Sequence, residues 1–302
     1  MEISDAHIRA GVFFTSTSMR YAEIEKHGDE NRLLRLGSCD FSFNPLDQFQ
    51  SESDAHFESL TSAVGEVLSS SRASRVHIAL HPKLAHSFFS PIANSLTRTQ
   101  ARRQIAEEAR MLYPDNGSAG IISRRLDNVV VSGGAKHGWV HITAVPSKIR
   151  SRLQRIMQGL SDKVCVGIPL AESVVSVLNR VQGDESSAYT LMVGLFNGGL
   201  ELMLCKRGKL HFAQSVNFSG APSDAVYWAT NLCRRLNVSA NELDLIYMFG
   251  ERTDRTIERL LASSFEALVQ GLDPMQAVNV NRGRVASEFD HSSYAPCIGV
   301  VI

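Results

Sequence analysis

No run of apolar residues in this chain reaches the roughly 18 that a membrane-crossing helix needs, and Met1-Glu2-Ile3-Ser4-Asp5 opens it without a basic stretch leading into an apolar one. Neither a span nor a secretory signal is read, so membrane contact is expected to be indirect. Cysteine is sparse: five residues, Cys39, Cys165, Cys205, Cys233 and Cys297, stand singly, in odd number and without a C-x-x-C pair. That excludes a disulfide framework and a zinc knuckle and suits a reducing compartment. No excess of either charge exists, since 31 Lys and Arg balance 31 Asp and Glu, so nothing marks a nucleic-acid partner.

What is present is a globular composition, 44% hydrophobic and 21% charged over 302 residues, enough for two cores. Strand-like runs at 8–14, 19–26 and 33–43 surround the hydroxyl-rich Thr15-Ser16-Thr17-Ser18. A helix at 55–68 spaces Phe57, Leu60, Val64 and Leu68 on one face, and VHIALHP at 76–82 is a fourth strand. A helix from Thr97 to Leu112 stopped by Tyr113-Pro114, strands at 121–131 and 138–145, and a helix at 147–159 form a small α+β module. Strand and helix follow within 163–181. After the polar Gly183-Asp184-Glu185-Ser186-Ser187 the order restarts, with strands at 189–196, 200–206 and 209–217, a helix at 222–236, a strand at 243–249 and a helix at 253–269. The β-β-β-α-β-α order occurring twice predicts duplicated domains around a cleft. The first is 1–183, with the module inserted at about 76–160; the second is 184–302, its C-terminal segment returning to the first.

This is the order of the actin-like ATPase (ribonuclease H-like) fold, an α/β fold whose halves each carry a phosphate-cradling hairpin turn after an acidic strand end. Gly11 to Ile24 resembles the D-I-G-S-S-S-V-K-A-V-E-L opening of PilM-type type IV pilus assembly proteins: the hydroxyl-rich turn is kept, Arg20 replaces the lysine, Phe13 stands at the acid and Thr15 at the glycine. VHIALHPKLAHSFFSPI and then TRTQARRQIAEEARMLYP are similar to that family's strand, apolar link and helix. At the second hairpin, Leu191 to Leu202 places Gly194 at the other acid and Phe196 at the glycine. Gly250, in Ile246 to Arg252, stands where relatives carry adenosine-binding glycines, and Tyr294 to Val300 resembles the terminal A-x-A-x-G-L segment.

The resemblance implies a shortened, divergent relative with a vestigial nucleotide site at Ser16, Thr17, Ser18, Asn197, Gly198 and Gly250. Read from the residues alone, the same turns are ordinary hairpin turns before they are a binding site. No catalytic residue and no metal site are assigned, because Mg²⁺ needs carboxylates and neither Phe13 nor Gly194 supplies one. The expectation is a bacterial pseudo-ATPase: a cytoplasmic scaffold, peripheral at the inner membrane, that binds the cytoplasmic tail of a membrane-anchored partner in a pilus or secretion-type assembly. Such a tail would enter a groove between the first domain and its module, and Phe88, Phe89, Ile92 and Leu96 are candidates for its wall or for the module's own core. No cofactor is required; binding of ATP and self-association stay open. The alternative is an ATP-binding or ATP-hydrolysing actin-like protein that forms filaments. Plainer readings cover the remaining candidates. His77 and His81 lack a nearby acid and are read as surface or half-buried histidines, and Ser132 to Gly138 as a hairpin loop without P-loop spacing. Cys165, Cys205 and Cys233 read as small hydrophobes, and Asp5 and Glu107-Glu108 as cap or solvated charges.

Overall fold

A computed structural model describes residues 7–113, 119–132, 135–160, 164–183, 189–280 and 290–302. Asp5, Pro114, Gly133-Gly134, Asp184 to Ser187 and the side chain of Cys165 lie outside the described residues.

Alternating apolar residues build β1 (His7–Phe14), β2 (Ser18–His27) and β3 (Glu30–Asp40) into an antiparallel meander. Two parallel strands, the buried β4 (Arg75–Leu80) and the edge strand β8 (Val164–Pro169), complete a first sheet of order β3-β2-β1-β4-β8. Its outer face is covered by α2 (Ala55–Ser69) through Phe57, Leu60, Val64 and Leu68, and by α4 (Ser147–Gln158) through Ile149 and Ile156. Short α1 (Pro45–Gln48), capped by Asn44, leads into this layer.

The second sheet repeats the plan with β9 (Tyr189–Phe196), β10 (Gly199–Lys206), β11 (Lys209–Asn217), β12 (Leu243–Gly250) and β13 (Leu268–Gly271) in the order β11-β10-β9-β12-β13. Strand directions match those of the first sheet, antiparallel across the meander and parallel beyond it. On its outer face lie α6 (Pro222–Arg235) and α7 (Arg255–Phe265), anchored by Ala229, Leu232, Ile257 and Leu261. The inner faces of both sheets share one core with α5 (Leu170–Gln182) and the C-terminal α8 (Ala295–Gly299), whose Cys297 and Ile298 are fully buried beside Phe13, Val174 and Phe249.

Between β4 and β8 the chain forms a third sheet from β5 (His86–Ala93), β6 (Gly120–Ser132) and β7 (Ala135–Val145), in the order β5-β7-β6. Its helix α3 (Arg98–Leu112) starts with a capping box between Thr97 and Gln100 and packs Ile105 and Ala109 on Ile92, Val140 and Ile142. Several elements differ from the sequence reading: β4 and α4, read as parts of the inserted module at about 76–160, belong to the first sheet and its outer layer. The stretch 86–93, read as an apolar link, is an edge strand, where Pro91 removes no ladder donor that a neighbour needs. Helix α7, read as running to 269, ends at Phe265, because Glu266 takes a left-handed φ of 51° and turns the chain into β13.

Candidate functional site

The β1–β2 turn, Thr15-Ser16-Thr17, satisfies much of itself. The Thr15 hydroxyl accepts the N–H of Ser18 at 2.9 Å and of Thr17 at 3.3 Å and donates to the Ser18 carbonyl at 3.0 Å. Ser16 is left facing outward from the turn. Its N–H donates to Oε1 of Glu251 at 2.7 Å and its hydroxyl to Oε2 at 2.8 Å. From the other sheet, the N–H of Asn197 in the β9–β10 turn donates to the same Oε2 at 3.1 Å. One carboxylate is therefore held by donors from both hairpins.

Gly250 delivers that carboxylate. Its φ is 119°, and a Cβ there would lie 2.4 Å from the Leu195 carbonyl oxygen, so only glycine lets the end of β12 cross β9 this closely. The following N–H, that of Glu251, donates to the same carbonyl at 2.8 Å. His81, the first residue past β4, meets Glu251 from the first half: its Nδ1 accepts the Lys83 N–H at 3.1 Å, which puts the ring proton on Nε2, 3.5 Å from Oε1. Burial pushes His81 down, so the ring is neutral. Burial alone would push Glu251 up, but the donors of His81 and Ser16 outweigh it and hold the carboxyl at about 2.

Aromatic rings close the cleft floor. His81 lies 4.8 Å from Phe196 and 5.8 Å from Phe13 between ring centroids, and Phe196 is 6.0 Å from Phe249. The space beside Gly194 belongs to Phe249, whose Cζ would be 2.5 Å from a Cβ at that position. The two positions read as replaced acids thus present a phenyl ring and a bare backbone. Among the described residues no group of three His, Cys, Asp or Glu side chains could hold a metal ion.

Of the residues singled out in the sequence, Ser16 and Asn197 are brought together on Glu251. Thr17 is exposed, with its N–H turned to Thr15, and the Ser18 hydroxyl pairs with that of Thr15 at 2.8 Å. Gly198 turns with a φ of 76° beside the Lys83 ammonium. Arg20 leaves the turn altogether: its guanidinium reaches the Gly250 carbonyl at 3.4 Å and lies 5.3 Å over the Tyr294 ring. His77 and His81 are both buried, not surface groups, and the acid that His81 meets is distant in sequence. Glu107 is a solvated charge paired with Arg103 at 3.0 Å. The Cys205 and Cys233 thiols are buried and pushed up, Cys233 to about 11, as small hydrophobes are.

The apolar stretch of β5 splits between two faces. Phe88, Ile92 and Leu96 join the core under α3, whereas Phe89 stacks 4.8 Å from His141 and 4.4 Å from Phe212 of β11. Ile92 is thus buried, and Phe88, Phe89 and Leu96 are half-buried against the module core or β11. Open space lies elsewhere, in a cleft of about 640 Å³ lined by Gln50, Lys83, His86, Tyr113 and Lys148 on one side and Gly198, Leu200, Ser215 and Val216 on the other. Sequence reasoning missed Glu251. The available signal was positional, since His81 and Glu251 each end the apolar run of the fourth strand in its half, VHIALH and LDLIYMFGE.

No family model matches the sequence, and no curated protein does. Among solved structures, a chain of a PilM–PilN type IV pilus biogenesis complex matches with a TM-score of 0.75 at 15% identity, over 97% of this chain and 97% of that one. A protein of Bacteroides thetaiotaomicron with an actin-like ATPase fold and unknown function matches with a TM-score of 0.58 at 12% identity, over 92% and 98%. The protein has the actin-like ATPase fold. Within that class its architecture is PilM-like from end to end.

Proposed function

We propose that this protein is a non-hydrolysing scaffold of a pilus or secretion-type assembly, binding the cytoplasmic tail of a membrane-anchored partner and thereby standing at the inner membrane. The observation that carries this reading is the full-length likeness to a protein solved in a PilM–PilN complex. Among the described residues no helix is long and apolar enough to cross a membrane, which fits attachment through a partner. Scaffolding without turnover is supported by the cleft floor: phosphoryl transfer needs a carboxylate-held metal, and Phe13, Phe196, Phe249 and His81 occupy the floor instead.

The docking place in this reading is the 640 Å³ cleft, which borders the first sheet, the inserted module and the second sheet together. An extended tail there meets the exposed Lys83 and the half-buried Val216, a mixture suited to a short peptide with a carboxylate and an aliphatic side chain. Calorimetric titration with the cytoplasmic tail of a single-span membrane protein encoded beside this one tests it. Micromolar binding that Lys83→Glu weakens is expected. Absence of binding, or ATP turnover above about 1 s⁻¹, would return the protein to the nucleotide-driven reading.

A further inference from the structure

Glu251 is anchored in a way that differs from an ordinary salt bridge. Its partners are two backbone N–H groups and a hydroxyl, contributed by Ser16 of the first sheet and Asn197 of the second, and its neighbouring imidazole is neutral by the hydrogen bond that Nδ1 accepts. Among the described residues no Lys or Arg pairs with it: Lys83 stands beside Gly198, and Arg252 lies over the Phe218 ring at 5.8 Å. A site made of converging dipoles fits an oxyanion as a class, whether carboxylate or phosphate, since each presents two or more oxygens to the donors.

We propose that Glu251 is an intramolecular ligand of an oxyanion cradle shared by the two sheets: it fills the place a phosphate group would take, ties the halves together through it, and shuts outside anions out. The geometry supports all three parts. Both carboxylate oxygens are engaged, Oε1 by the Ser16 N–H, with the His81 Nε2–H 3.5 Å away, and Oε2 by the Ser16 hydroxyl and the Asn197 N–H. The bonds from Ser16 cross from one sheet to the other, so the halves cannot part at this end without freeing the cradle. The Thr17 and Ser18 N–H groups are consumed by Thr15 and offer an incoming anion nothing further. Once Glu251 is gone, the same donors are freed next to the cleft that His81 and Gly198 line, with Lys83 also on its wall. This holds whichever partner the protein serves.

The test compares amide spectra of wild type and Glu251→Ala during titration with inorganic phosphate and, separately, with ADP. In the wild type the Ser16 and Asn197 amides are expected to stay still; in the variant both shift and saturate at millimolar phosphate. Tighter response to ADP than to phosphate identifies a nucleotide as the excluded ligand, and equal response identifies the phosphate group alone. If the variant's two amides move no more than those of the wild type, no oxyanion cradle exists. Should Glu251→Ala fold poorly, the isosteric Glu251→Gln serves through hydrogen exchange. Glutamine keeps one acceptor oxygen, so whichever of the Ser16 and Asn197 amides faces its NH2 group then loses about tenfold or more of its protection, while Glu242→Gln, at a separate surface capping box, leaves both unchanged. Equal protection in Glu251→Gln and wild type overturns the tie between the halves.

Discussion

The two halves share one strand plan but put opposite side chains at matching positions. On the first sheet Phe13 of β1 pairs with Ala79 of β4; the matching pair on the second is Gly194 of β9 with Phe249 of β12. Large and small have exchanged strands, yet each of these pairs sends one ring into the shared floor. Two residues further along the fourth strands, His81 matches Glu251, and on the second strands Arg20 matches Glu201, each opposite a serine, Ser38 or Ser215, of the third. A cleft between duplicated halves cannot be filled by the same residue from both sides, because rings at identical positions would collide and like charges would repel. Complementary pairs solve both problems. A neutral imidazole faces a carboxylate, and the rings arrive from different strands.

The largest effect is expected where the second half departs most from ordinary backbone. Gly250→Ala puts a Cβ 2.4 Å from the Leu195 oxygen at a φ of 119°, and should cost about 3 kcal/mol or more in denaturant unfolding. A cost below about 1 kcal/mol would mean that the end of β12 shifts freely and does not fix Glu251. The exchanged rings are tested next. Gly194→Ala meets Phe249 Cζ at 2.5 Å and Phe196 Cε2 at 2.9 Å, an overpacking of about 1–3 kcal/mol. In a Phe249→Ala background the first clash is gone, so a double-mutant cycle should return a coupling of about 1–2 kcal/mol. Additive costs would deny that the two positions complement each other.

Much of this plan was legible in the sequence. The alternation of β1 and β2, the helical spacing of Phe57, Leu60, Val64 and Leu68, and the repeated element order led to two halves and an inserted module. The strand β5 was hidden because both its faces are covered, Phe88 by α3 and Phe89 by β11, so the polar-apolar alternation that marks a half-exposed strand is absent. The site was half visible. Hydroxyls and a glycine turn showed where the hairpins lie, but the bonds from residue 16 to residue 251 exist only through closure of the two halves, which no local pattern encodes.

Glu251 and Glu201 then give opposite signs within one sheet. The folded carboxyl of Glu251 sits at about 2, below an ordinary value of about 4.3. Its contribution is therefore present above about pH 4.5 and lost as pH falls toward 2. Glu251→Gln should lower stability by about 1–2 kcal/mol at neutral pH and flatten the acid limb of the stability curve. An unchanged acid limb would place that pH dependence on other carboxylates.

The smallest effect is expected at Glu201, and it should be a gain. This side chain is fully buried, and the Ser215 hydroxyl is the hydrogen-bond partner the described residues provide. Burial raises its carboxyl to about 7, and the Ser215 bond offsets only part of that. The unfolded chain gives up this proton near pH 4.3, whereas the folded chain holds it until about 7. Stability therefore declines as pH rises between those values and stays reduced above them. Glutamine keeps an oxygen to accept from Ser215 and has no proton to lose. Glu201→Gln should thus be neutral at pH 4.5 and more stable than wild type at pH 8, read from urea unfolding at both. The matching Arg20 already has the Gly250 carbonyl and the Tyr294 ring as partners, so its charge carries no such burden. A loss of stability in Glu201→Gln at pH 8 would mean that the ionised carboxylate finds a donor in the folded protein. Glu201 would then act as Glu251 does, and the contrast between the two carboxylates would disappear.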